Sequence, residues 1–308
     1  MDTLSRLLSL YPMQGSIDVR CHFGAPWLID HQAVAPHIAP YHLVLEGAAW
    51  LEMPDSPPLP MQAGDIVLFP HGRAHRMYLG ELDAASPIRI LSEAGALLQQ
   101  QVNEGNGPLT EVLCGEFRSA PDVPNAMLVA MPDTVIIRAG DDQDAADLEG
   151  LQSLIGLLRR ETQANRAGAE VVIAQLASVL FALMIRAWLA QAPMVSGLYA
   201  LLAERRLQPA LHGMLSDPGQ DWTLETMAQA CNMSRATLAR LFQQISDITP
   251  AALLMQTRMA HAGLMLKRGN LSVGAVGEAV GYQSEAAFNR AFKRHFGVGP
   301  GTYRRRGE

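Results

Sequence analysis

The spacing of apolar residues changes partway along the chain. Through residue 140 they come in short runs, such as Tyr41–Leu45, Ala48–Met53, Ile66–Phe69 and Met127–Ala130, separated by Gly and Pro. Short apolar runs bounded by turn formers predict strands. The stretch Pro54–Pro60 holds four prolines, which suits a loop and not a helix, because proline has no N–H to give a helix interior. Further on, Leu148, Leu151, Leu154, Ile155 and Leu158 recur at steps of three and four and predict one amphipathic helix. A second helix is predicted from about Ala169 to Ala190, apolar on more than one face, so it must be covered on several sides. The cover is a domain core or a second copy of the chain. The acidic run Asp141–Asp147 and the segment Gln191–Gly197, with Pro193, Ser196 and Gly197, read as linkers.

The last third of the chain repeats itself. With Ser234 placed on Ser284, Ala236 falls on Ala286, Leu238 on Phe288, Arg240 on Arg290, Phe242 on Phe292 and Pro250 on Pro300. One residue is dropped upstream, so that Leu224, Met227 and Cys231 fall on Val273, Val276 and Val280. Each unit predicts a short helix, a tight turn and a second helix, over 223–244 and 272–295. Asn232 and Gly281 tolerate the left-handed backbone such a turn needs. Ser234 and Ser284 are placed to cap the second helices. A helix-turn-helix puts the N-terminal residues of its second helix against base edges in the major groove. That nominates Arg235, Ala236, Ala239 and Arg240 in the first unit. In the second it nominates Ser284, Glu285, Ala286, Asn289, Arg290 and Lys293. Arginine suits guanine, asparagine adenine, and glutamate cytosine. Leu238, Leu241, Phe242, Phe288 and Phe292 are expected to face inward, and Cys231 with them.

Charge agrees with this division. The net charge of −6 splits into +5 over residues 197–308 and −11 over residues 1–196, so one end is suited to a polyanion. No signal-peptide pattern opens the chain. The uncharged run between Glu170 and Arg186 falls short of the roughly 20 residues that span a bilayer. A soluble cytoplasmic protein without a membrane partner is expected. Three cysteines, Cys21, Cys114 and Cys231, lie far apart with no CxxC pair. That disfavours a structural zinc or a disulfide scaffold and leaves room for a two-thiol switch.

Residues 197–308 resemble the AraC/XylS DNA-binding domain. The run Ala279–Gly297, then Pro300 and Tyr303–Arg304, carries the resemblance. It implies that Arg240, Arg290 and their neighbours touch double-stranded DNA, that RNA polymerase is a partner, and that the chain activates transcription rather than catalysing a reaction. The helix from about Pro250 to Lys267 then joins the two units. The first 145 residues resemble a cupin barrel. Gly64–His75 fits G-x5-P-x-G-x2-H, with Leu79 where the family has Asn. A metal-binding cupin has about three His and a carboxylate. The resemblance therefore implies His42, Glu46 and His75 for a divalent ion, with His22 or Cys21 to complete the set, or else a metal-free sensor barrel.

The segments Met1–Leu8, Gly15–Asp18 with Cys21, Glu46–Pro54 and Cys114–Gly115 are similar to one subgroup of cupin-type AraC regulators. Members of that subgroup sense reactive chlorine species by cysteine oxidation. Cys21 and Cys114 fall on the subgroup's two cysteine positions. Arg20 and His22 flank Cys21, and positive charge favours a reactive thiolate. Residues 90–110 look like an inserted loop that bears on access to the thiol. The whole reads as an α+β protein: a cupin sensor (1–145), a helical linker pair suited to dimerisation (146–196) and an all-α DNA-binding domain (197–308). The alternatives are a barrel that binds a small organic effector or a metal ion, and a cupin enzyme with a vestigial DNA-binding module.

Overall fold

The computed structural model describes residues 1–91, 98–121, 124–139, 145–164, 166–192, 196–269 and 271–306. The acidic linker expected over 141–147 and the Pro193 linker lie partly outside the described residues. In chain order the helices are α1 (Thr3–Leu10), α2 (Ala126–Val129), α3 (Ala145–Ala164), α4 (Ala169–Gln191), α5 (Gly197–Ala203), α6 (Gln208–Ser216), α7 (Leu224–Ala230), α8 (Arg235–Ile245), α9 (Pro250–Arg268), α10 (Val273–Ala279), α11 (Glu285–Phe296) and α12 (Pro300–Arg306). The strands are β1 (Gln14–Gly24), β2 (Trp27–His31), β3 (Ile38–Glu46), β4 (Ala48–Met53), β5 (Ser56–Gln62), β6 (Ile66–Leu68), β7 (His75–Leu79), β8 (Arg89–Leu91), β9 (Gln99–Val102), β10 (Leu109–Arg118) and β11 (Val135–Ile137). The chain is α+β, with strands early and helices late, and it divides into two compact units.

One unit joins Met13–Pro121 to Met131–Pro193. Its larger sheet runs β11-β6-β3-β10-β1-β9-β8 and its smaller one β2-β7-β4-β5. The core between them takes alternate residues from both sheets: Cys21, Phe23, Val44, Val67, Val112 and Cys114 from one, and Trp27, Leu51, Met61 and Met77 from the other. The proline-rich stretch is not a loop. It opens β5, the outer strand of the smaller sheet, where a residue without an N–H costs no ladder bond. The inserted segment contributes β8 and β9, and β9 pairs with β1 in parallel so that Gln101 stands opposite Cys21. Helix α4 is long and apolar enough to cross a membrane by length and composition, with mean hydropathy 2.0. In the fold it buries Ile173, Ala177, Leu180, Phe181 and Met184 and packs on α3, β1 and β11. Gly15 of β1 sits where a Cβ would fall 2.5 Å from the Ala177 backbone, so glycine is what lets helix and strand meet.

The other unit joins Met1–Pro12, Asp122–Ala130 and Met194–Glu308. Its first segment is helix α1, where the early strand-like reading fails. Asp2 caps it by accepting from the Ser5 N–H, and Leu7 and Leu10 are buried. It packs on α6 and α9, and the Thr3 hydroxyl donates to Gln208 at 2.6 Å. The run Met127–Ala130 is not a strand either. The Asn125 side chain accepts from the N–H groups of Met127 and Leu128 and starts α2. Two short helix pairs, α7–α8 and α10–α11, flank the longer α9. Met259, Leu266, Val276, Phe288, Phe292 and Tyr303 form the core around the second pair.

Candidate functional site

Both helix-turn-helix turns have the geometry their sequences require. Asn232 has φ +53° and Gly281 φ +87°, the left-handed region an asparagine or glycine enters at least cost. Ser234 accepts from the Thr237 N–H at 3.1 Å and Ser284 from the Ala287 N–H at 3.3 Å, so α8 and α11 start capped. Leu238, Leu241 and Phe242 are buried beneath α8, as are Phe288 and Phe292 beneath α11. Gly277 lets α10 approach α11 closely, since a Cβ there would lie 2.9 Å from the Phe288 ring.

The opposite faces are solvent-facing and cationic. Arg235, Ala236 and Arg240 are exposed on α8, with Ala239 half-buried. Ser284, Glu285, Ala286, Arg290 and Lys293 are exposed on α11, with Asn289 half-buried. Arg235 pairs with Glu225 at 3.0 Å, an exposed pair worth little that leaves the guanidinium free to exchange partners. Cys231 is half-buried rather than core, because it ends the short α7 instead of packing beneath it.

A second cluster occupies the interior of the sheet unit. In register, Cys114 of β10 stands opposite His42 of β3, and His31 of β2 opposite His75 of β7. The His42 Nδ1 lies 3.0 Å from the Cys114 Sγ and the His42 Nε2 lies 2.7 Å from the His75 Nε2. The His75 Nδ1 lies 2.8 Å from the Arg73 carbonyl oxygen. A carbonyl only accepts, so the proton on His75 is on Nδ1. Burial drives the His75 pKa down to about 3 and that of His42 well below the usual imidazole range. Both rings are therefore neutral, which fixes the remaining donors. His42 Nε2–H donates to His75 Nε2, and the Cys114 thiol donates to the His42 Nδ1. His75 is also stacked on Phe69, with centroids 3.6 Å apart. A cavity of about 420 Å³ lined by Asp30, Glu52, Met53 and Arg76 reaches His75.

Cys21 and Cys114 face the same interior. Cys21 stands opposite Val112, and Cys114 is two residues along the same strand. Diagonal pairs of this kind have Cα atoms about 7–8 Å apart and Cβ atoms closer, just beyond the roughly 7 Å limit for a disulfide, so closing one requires the two strands to shift. The neighbouring Cys21 thiol, together with burial, pushes the Cys114 pKa well above its ordinary value. The Cys21 thiol also donates to the Gln101 side-chain oxygen at 3.9 Å. Arg20 does not serve the thiol as expected. It points to the other face, where its guanidinium is buried against Glu111, and Arg159 of α3 donates to the same carboxylate at 2.9 Å.

The metal set suggested by the motif does not assemble. His42 and His75 meet, but His22 is exposed, one residue out of phase with Cys21. Glu46 is exposed and paired with Arg159 at 3.3 Å. A register shift between Glu111 and Val112 inserts Leu45 opposite no partner and turns Glu46 outward. The residue missed from the sequence is His31. Its ring lies 4.4 Å from that of His42 and 4.7 Å from that of His75.

Residues 2–190 match the Cupin family model and residues 227–306 the Helix-turn-helix domain model. Full-length relatives agree. The RCS-specific HTH-type transcriptional activator RclR of Escherichia coli is 33% identical over 99% of this chain and 98% of its own. The HTH-type transcriptional regulator MtrA of Neisseria gonorrhoeae is 31% identical over 100% and 99%. The HTH-type transcriptional regulator AlkR of Acinetobacter baylyi is 30% identical over 99% of each.

Proposed function

Because the chain belongs to the AraC/XylS family of transcription regulators, in the form that carries a cupin domain ahead of paired helix-turn-helix units, we propose that it is a cytoplasmic activator whose cupin unit senses oxidants through Cys21 and Cys114. The observation that carries this reading is the placement of two free thiols on one interior face, as diagonal neighbours on paired strands. The Escherichia coli relative, an RCS-specific activator by name, supports the same signal. The chemistry is a two-electron oxidation. Two thiols and one hypochlorous acid give a disulfide, chloride, a proton and water. His42 Nδ1 is placed to take the Cys114 proton. Oxidation shifts the population of states in which α8 and α11 engage DNA and RNA polymerase.

The exposed Val171, Val172 and Val179 on α4 favour a second copy of the chain as a further partner. No reaction is assigned to the cupin unit, whose interior histidines pair with one another and with a thiol. Mass spectrometry after mild hypochlorite treatment tests the reading. A peptide pair linked through Cys21 and Cys114 is expected. Two reduced cysteines in a protein whose DNA binding nevertheless responds would refute it.

A further inference from the structure

The interior cluster has a donor left over. The His31 Nε2 is buried from water and has no hydrogen-bond partner among the described residues. The same residue belongs to a group whose ligand atoms, one each from His31, His42 and Cys114, all lie within 4.8 Å of one another. Two imidazoles and a thiol are borderline-to-soft donors, and no carboxylate joins them, which disfavours magnesium, calcium or manganese. A tetrahedral zinc with bonds of about 2.0–2.3 Å needs donors about 3.3–3.8 Å apart. Side-chain rotations of under about 1 Å reach that spacing from the one observed.

The hydrogen-bond chain prepares the site. Arg73 holds the proton of His75 on Nδ1, His75 holds that of His42 on Nε2, and the bare His42 Nδ1 then faces Cys114. A ligating histidine ordinarily donates its other N–H to an outer partner that fixes its tautomer. Here His75 is that partner and not a ligand, so the ring the cupin motif supplies acts one step back.

We propose that His31, His42 and Cys114 bind a borderline-soft divalent ion, zinc(II) foremost, and that this ion and the Cys21–Cys114 disulfide exclude one another. The second clause rests on the thiol reading above; the first does not. Binding replaces the Cys114 proton by zinc and releases that proton. Oxidation reverses it. The zinc-bound Cys114 thiolate, the Cys21 thiol and one hypochlorous acid give the disulfide, free zinc(II), chloride and water. The Cys114 sulfur has one bond to give, to zinc or to sulfur. The fourth zinc position is open to water or a small anion arriving through the cavity beside His75.

The experiment uses the full chain, stripped with a chelator and then equilibrated with zinc(II), and separately with cobalt(II) as a spectroscopic probe. About one zinc per chain is expected, with a thiolate-to-cobalt charge-transfer band. Cys114→Ser should abolish the band, His31→Gln should weaken zinc binding by at least about tenfold, and His75→Ala should weaken it by about 10–100-fold, as an outer partner does. Glu46→Ala and His22→Ala should change nothing. His31→Gln alters a half-buried residue and guards against a Cys114 variant that fails to fold. The site is overturned if the folded chain takes up no zinc, or if uptake survives both Cys114→Ser and His31→Gln. Hypochlorite should then release the bound zinc to a chromogenic chelator in step with the disulfide. A disulfide that forms while the zinc stays bound overturns the exclusion. Zinc uptake without any disulfide would refute the thiol reading and leave the metal site standing.

Discussion

His42 and Cys114 stand opposite each other on β3 and β10, with Nδ1 and Sγ 3.0 Å apart. The pair joins the two chemistries of the cupin interior, since Cys114 also contacts Cys21 and His42 also contacts His75. Any change at the Cys114 sulfur must therefore be felt in both sheets, because His75 belongs to β7 and Cys21 to β1.

Accessibility should separate the three thiols. Cys21 is 1% exposed and Cys114 7%, whereas Cys231 is half-buried. A bulky alkylating reagent should label Cys231 first in the native protein and reach the other two only on unfolding, while hypochlorous acid, an uncharged molecule of three atoms, reaches the pair. Peptide mapping after timed alkylation checks the order. Equal labelling of all three would show that the interior is open.

Arg240 and Arg290 occupy matching positions on exposed faces of α8 and α11. Replacing either by Ala should cost about 1–3 kcal/mol of specific binding and relax the base preference at one position. Lys293 lies in the last turn of α11, away from the end that reads bases, so Lys293→Ala should instead weaken binding to all sequences alike and flatten the salt dependence. Selection from a random duplex pool, followed by titration at several salt concentrations, distinguishes these outcomes.

Loss of a helix cap should lower stability. Ser284→Ala and Ser234→Ala each remove an acceptor for a helix N–H and should destabilise the helical unit by about 0.5–2 kcal/mol. Denaturant midpoints measure it. A change under about 0.3 kcal/mol would mean that solvent replaces the cap.

His261 gives this unit an acid-sensitive point. Burial holds its pKa below the usual value and the charge of Arg6 adds to this, although its bond to the Leu215 carbonyl opposes the shift. The unfolded chain therefore takes up the proton first as pH falls through about 6.5, and stability is lost on acidification and is intact above that value. Melting temperatures at about pH 7.5 and pH 5.5 should converge in His261→Gln relative to the parent. An unchanged difference would remove His261 from the account.

The helical end was legible in the sequence because its signals are local. A left-handed residue, a serine cap and an inward phenylalanine each sit within a few residues of one another, and the repeat displayed them twice. The cupin interior was half legible. Cys21, Cys114, His42 and His75 were found through motif and resemblance. His31 was not, because only the pairing of β2 with β7 brings it to His75, and that pairing is not written in the local pattern. Glu46 misled because an even spacing from His42 implies the same face, and the shift beside Leu45 reverses that. Helix α1 and the helix over Met127 were hidden in stretches too short to show a period. Their capping residues, Asp2 and Asn125, were the available signals.

The central claim is that oxidation at the cupin thiols changes how the chain reads DNA. The direct measurement is its affinity for a selected duplex before and after stoichiometric hypochlorite, in the parent and in Cys114→Ser. The account expects the parent to shift by at least about fivefold as the Cys21–Cys114 disulfide forms, and the variant to stay where it was. A parent that acquires the disulfide and binds as before, or a variant that shifts equally, would contradict it.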